Sequence, residues 1–111
     1  MLKLGLSPRS IVNRAYYSVF YFILALFQKH GLNVRTSKHS GVIGAFDREY
    51  VLPGRVERRL GKIVHTLFDA RQEFDYKEFV EITVDDATGA VVDAQEFAAA
   101  IRLLLKSSLE L

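Results

Sequence analysis

Residues 13–27 read Asn-Arg-Ala-Tyr-Tyr-Ser-Val-Phe-Tyr-Phe-Ile-Leu-Ala-Leu-Phe. From Ala15 to Phe27 only Ser18 and the tyrosine hydroxyls are polar, so any regular structure formed here is apolar on every side. Such a segment cannot rest on a surface with one face to water. A membrane span takes about 20 apolar residues, and this run closes earlier, at Gln28, Lys29 and His30. It therefore reads as the core helix of a bundle, covered by its own chain or by a partner subunit. No contact with a membrane is expected of it.

Working outward, Ser7-Pro8 is a helix start: the serine can cap free backbone N–H groups, and the proline sits where no donor is needed. The spacing predicts a first helix from Pro8 to His30, about 33 Å long, stopped by Gly31 and Asn33. Val42, Ile43, Ala45, Phe46 and Tyr50 predict a short second helix within Thr36–Val51, weakened by Gly41 and Gly44 and ended by Pro53-Gly54. The third helix, Arg55 to Tyr76, carries Val56, Leu60, Ile63, Leu67, Ala70 and Phe74 in a seam of alternating fours and threes. Thr83 and Asp86 resemble a capping box. The stripe from Ala87 to Leu105 then predicts a fourth helix. No sustained alternation or Asn-Gly hairpin signal occurs, so no sheet is expected. The fold class is all-α, an up-and-down four-helix bundle, with residues 1–111 as a single domain.

Half of the 111 residues are hydrophobic and a quarter charged, a globular composition. With no cysteine there is neither a disulfide framework nor a thiolate metal site, and His30, His39 and His65 are not at metal-ligand spacings. No cofactor is implied. The N-terminus lacks the long apolar core and cleavage site of a signal peptide, so a cytoplasmic protein is expected. The charge is uneven: residues 1–77 hold 13 Lys and Arg against 6 Asp and Glu, or +7, whereas residues 78–111 hold 2 against 7, or −5. Solvated helix faces would explain this, and so would a basic patch for nucleic acid on the first three helices.

Phosphate loops, nucleophile elbows, zinc-protease motifs and cysteine nucleophiles are all absent. What remains are polar residues where apolar ones are expected, at a cost that argues for a purpose. Arg14 enters the core helix on the face of Tyr17 and Tyr21. It either snorkels to water or pairs inside the bundle. Arg71 and Asp75 are four apart at the end of the third helix, beside Tyr76. Ser37-Lys38-His39-Ser40 forms a polar cluster at the start of the second, where a capping turn would suffice to explain it.

Asn-Arg-Ala-Tyr-Tyr-Ser-Val-Phe-Tyr at 13–21, Ser-Lys-His-Ser-Gly-Val-Ile at 37–43, Ala-Arg-Gln-Glu-Phe-Asp-Tyr at 70–76 and Ile-Thr-Val-Asp-Asp-Ala at 82–87 follow one another as they do in the HEPN domain family. The chain resembles its small stand-alone prokaryotic members over about residues 8–106. The resemblance implies a helical bundle that pairs with itself. It also implies a ribonuclease toxin of a toxin–antitoxin pair, or the partner of a small nucleotidyltransferase. Active members of the family carry an arginine, then four to six residues, then a histidine. Here the matching place, Arg71 to Tyr76, offers Asp75 and Tyr76 instead, while Arg59 and His65 meet the spacing further upstream. The missing histidine removes the best proton carrier near neutral pH.

The expectation is therefore a HEPN-like module, non-catalytic or regulatory, that binds RNA, a nucleotide or a nucleotidyltransferase-like partner. The alternative is a metal-independent ribonuclease toxin using Arg71, or Arg59 with His65. Arg14, Tyr17, His39, Arg71, Asp75 and Tyr76 are the candidate polar residues, and Arg14, Tyr17, Arg71, Asp75 and Tyr76 are expected to form one cluster between the first and third helices. The family normally has a further helix ahead of the Arg-Ala-Tyr-Tyr helix. Only seven residues precede Pro8 here, so either the start is truncated or a partner subunit supplies the missing cover. The all-round apolar core helix predicts a homodimer with Tyr16, Phe20, Phe22 or Phe27 in its interface.

Overall fold

The computed structural model describes residues 7–35, 38–76 and 82–107; for 72–76 and 107 the description covers the backbone. Four helices follow in order: α1 (Pro8–Lys29), α2 (His39–Phe46, continued by a π-helical turn Asp47–Val51), α3 (Arg58–Tyr76) and α4 (Val84–Ser107). No strand occurs among the described residues.

Local chemistry accounts for the helix ends. Ser7 Oγ accepts from Ser10 N at 3.1 Å and Pro8 opens α1. Gly31, at φ 68°, lets Leu32 N reach back to Phe27 O at 2.8 Å, the closing bond of a left-handed helix stop. The same device ends the π-helical turn, with Gly54 at φ 81° and Arg55 N bonded to Tyr50 O at 2.9 Å. The capping box of α4 is complete. Asp86 N donates to Thr83 Oγ1 at 3.1 Å, and Thr83 N donates to Asp86 Oδ2 at 3.0 Å.

α1 is the centre of the bundle, packed most extensively on α4 and next on α3. It passes the length and apolarity test for a membrane span. In the fold it is the core helix, with nine residues from Ile11 to Phe27 buried in the chain's own interior. Its cover is not complete. Tyr21 is 62 % exposed and Leu24 37 %, and with Asn13, Arg14 and Ser18 they leave one stripe of α1 open. Tyr16, Phe20 and Phe27 are buried inside one subunit, and half-buried Phe22 lies under the Arg102 guanidinium at 5.3 Å. The first three are therefore core residues and not interface residues.

The expected bundle is present, but the alternation is not strict. His39, at the start of α2, lies on Phe20 of α1, and Tyr50, at its end, lies on Phe27 and His30. α2 thus runs in the same direction as α1. α3 runs the other way, bringing Arg71 back to Asn13 and Tyr17. The reason is apolar surface: a second helix laid parallel to α1 covers its stretch from Tyr16 to His30, and Phe46 then meets Tyr50 and Phe97 in the middle of the core. α2 begins three residues later than expected and its last turn widens to π geometry, which is a common feature of functional or strained helix segments. α3 passes close to that turn at Gly61, where a Cβ would stand 3.0 Å from a Val51 methyl.

Candidate functional site

The parallel course of α2 places a histidine where α3 has none. Tyr16 is 1 % exposed, and burial pushes its phenol up to about 12, opposed by the Arg71 charge. It therefore stays protonated, and its hydroxyl is hydrogen-bonded to His39 Nδ1 at 2.7 Å. Burial, and secondly the Arg71 guanidinium, lower the His39 pKa, so the ring is neutral at pH 7. Nε2 is then the ring nitrogen that Tyr16 does not engage. The imidazole is stacked on Phe20 with centroids 4.2 Å apart and stands edge-on to Tyr17 at 5.8 Å. Its orientation is thus set by three aromatic rings of one helix.

Arg71 comes from α3 to the same place. Its Nε donates to Asn13 Oδ1 at 3.2 Å and its Nη2 to the Tyr17 hydroxyl at 3.0 Å. The guanidinium carbon stands 5.3 Å from the Tyr16 ring centre and 5.1 Å from that of Tyr17, within cation–π range. A guanidinium held in a fixed plane by directional bonds and aromatic faces presents its charge in one orientation, the property that suits it to phosphate oxygens. The site therefore combines a fixed cation, a neutral imidazole and a tyrosine hydroxyl.

Of the residues singled out from the sequence, the structure unites Tyr17, His39 and Arg71. Arg14 is exposed and outside the cluster, a correction. One step along a helix turns the side chain by about 100°, so Asn13 faces Arg71 and Arg14 faces water. The side chains of Asp75 and Tyr76 lie outside the described residues. Arg59 and His65 do not form a site together: Arg59 pairs with Glu96 of α4, and His65 pairs with Asp47 of the π-helical turn. Sequence reasoning missed Asn13, Tyr16 and Phe20. Tyr16 and Asn13 were visible as polar groups in the core helix, but only the packing of α2 and α3 shows what they hold. Among the described residues no cluster of side chains could hold a metal ion.

Comparison with known proteins agrees with this architecture. The HEPN domain profile matches residues 4–104. A UPF0332 protein of Thermotoga maritima is 41 % identical over 87 % of this chain and 72 % of its own length. A protein of Methanocaldococcus jannaschii described as a candidate toxin is 33 % identical over 91 % of this chain and 73 % of its own length. A second candidate toxin of that organism is 33 % identical over 68 % of this chain and 50 % of its own length. No solved structure gives a significant match.

Proposed function

This chain belongs to the HEPN domain family, and from that premise we propose that it is the HEPN module of a toxin–antitoxin-type pair whose Arg71–His39 site binds a phosphate of RNA or of a nucleotide. The observation that carries the reading is the convergence of Arg71, the His39 ring and the Tyr17 hydroxyl at one place, fixed by Asn13, Tyr16 and Phe20. The toxin names of two relatives support the context. A nucleotidyltransferase-like protein is the proposed partner, and the open stripe of α1 the proposed surface for self-pairing.

The chemistry favours binding over cleavage. Transesterification of RNA needs a base to take the 2′-hydroxyl proton as the bond to phosphorus forms, and an acid to give a proton to the departing 5′-oxygen. His39 Nδ1 is engaged by the Tyr16 hydroxyl, which leaves Nε2 as the one ring nitrogen for an RNA, and a single nitrogen cannot be base and acid at once. In the Nε2–H tautomer the imidazole donates to a phosphate. A second reading, ribonuclease activity, is favoured by one fact: a neutral histidine stands beside the arginine. It requires the Nδ1–H tautomer, in which Nδ1 donates to the Tyr16 oxygen and Nε2 takes the 2′-hydroxyl proton.

Both readings are tested on the purified chain with single-stranded RNA, following binding by fluorescence anisotropy and cleavage on gels. Arg71→Gln should weaken binding about tenfold or more, the scale of one lost charge-assisted contact. His39→Gln should weaken it less, and the parent should leave the RNA intact. Cleavage by the parent that disappears in His39→Gln would replace the binding module by the enzyme. Unchanged binding in Arg71→Gln would reject the site.

A further inference from the structure

The Tyr16–His39–Arg71 arrangement occurs a second time, at the other end of α1. Tyr50 is 1 % exposed and its hydroxyl is hydrogen-bonded to His30 Nδ1 at 2.7 Å. The two rings are stacked 5.7 Å apart, and the Arg55 guanidinium stands 4.6 Å from the Tyr50 ring centre. A buried tyrosine, a histidine bonded through Nδ1 and an arginine over the phenol ring thus recur with the helices exchanged. In the first cluster α1 supplies the tyrosine and α2 the histidine; in the second α1 supplies the histidine and the π-helical turn the tyrosine.

Both helices end at this corner, and their terminal carbonyls favour a cation. That alone would account for Lys29. It does not account for Arg55, whose charge is held over the Tyr50 face. Of the flanking carboxylates, Glu49 pairs with Arg48 at 3.2 Å and Glu57 lies 3.9 Å from Arg59. Asp47, the other carboxylate of that turn, pairs with His65. The first 46 residues contain no Asp or Glu, and Arg35 and Lys38 lie exposed on the segment that links α1 to α2.

We propose that Tyr50, His30 and Arg55 form a second phosphate subsite, which takes the backbone of a single RNA strand whose other end occupies the Arg71 site. This rests on the reading of that site as phosphate-binding. Tyr16 and His30 are fourteen residues apart on α1, about 21 Å at 1.5 Å per residue, and 14 steps of 100° leave them about 40° apart around the helix. Both therefore point to the side of α1 that α2 covers, and the two clusters stand at the two ends of α2. A strand stacked as in a double helix advances about 3.4 Å per phosphate, so the two subsites are about six phosphates apart. The ligand is an oligonucleotide of at least that length and not a mononucleotide.

The test uses the full chain with single-stranded RNAs of 3 and 12 nucleotides and the exposed-site variant Arg55→Gln, with Arg71→Gln as comparison. The 12-mer should bind at least tenfold more tightly than the 3-mer to the parent. Arg55→Gln should weaken the 12-mer severalfold, leave the 3-mer unchanged, and reduce the slope of log K against log salt by about 0.7, the single-strand value for one phosphate contact. Arg71→Gln should weaken both. In parallel, inorganic phosphate should raise the His30 titration midpoint followed by NMR, because a bound anion favours the imidazolium. Equal affinity for both RNAs with no effect of Arg55→Gln would overturn the subsite while the Arg71 site stood. An effect of Arg55→Gln with none of Arg71→Gln would overturn the Arg71 reading instead, and with it the two-ended track.

Discussion

The Tyr16 hydroxyl and His39 Nδ1 lie 2.7 Å apart, joining the first half of α1 to the first residue of α2. That bond ties the start of α2 to the core helix and engages one nitrogen of His39. Tyr16→Phe keeps the ring and removes the bond. It should destabilise the fold by about 1 to 2 kcal/mol, the net bond plus part of the cost of an unpaired imidazole nitrogen. Denaturant unfolding measures this, and a cost near zero would show that the aromatic stacking alone places His39.

Burial lowers the pKa of both His39 and His30, followed by the Arg71 charge for the first and by Arg55 and Lys29 for the second. The unfolded chain then binds more protons than the folded one below the ordinary value of 6.5. Stability is accordingly full above pH 6.5, falls as pH drops toward the lowered folded values, and levels off below them. Unfolding midpoints taken from pH 8 to 5 should show this fall, and the double variant His30→Gln/His39→Gln should flatten it. A slope unchanged in the double variant would assign it to other groups.

Phe46 is fully buried, with Tyr50 at 5.6 Å and Phe97 at 5.7 Å. Phe46→Ala should cost about 3 to 5 kcal/mol, from lost transfer energy and a cavity that three helices cannot close. Arg14→Ala, on the open stripe of α1, should change stability by less than about 0.5 kcal/mol. The pair of thermal melts checks both. A large effect of Arg14→Ala would mean that its charge is held by the fold after all.

Tyr21 and Leu24 are the large apolar side chains left open on α1. If a second copy covers them, the chain of 12.6 kDa sediments at about twice that mass, and Tyr21→Lys with Leu24→Lys converts it to a monomer that keeps its helical content. A parent that sediments at the single-chain mass at micromolar concentration removes the self-pairing proposal.

The helices themselves were legible in the residues, because each rests on short-range chemistry. Ser7-Pro8, Gly31, Pro53-Gly54 and the Thr83–Asp86 box mark ends within one turn, and the apolar spacing of α3 and α4 marks their inner faces. Arg71 and Tyr17 were also visible as partners, since α1 and α3 run antiparallel and the core helix carries the phenol. The direction of α2 was not legible. It depends on how the largest apolar area of α1 is covered once all helices compete for it, a sum over contacts between residues tens of positions apart. That direction brings His39 to Tyr16 and Tyr50 to His30. The phase of α1 against α3 leaves Arg14 in water while its neighbour Asn13 holds the guanidinium. The sequence by itself determined a four-helix bundle around residues 13–27. Only the tertiary structure decided that two histidines, unremarkable in their local surroundings, would each meet a buried tyrosine and an arginine.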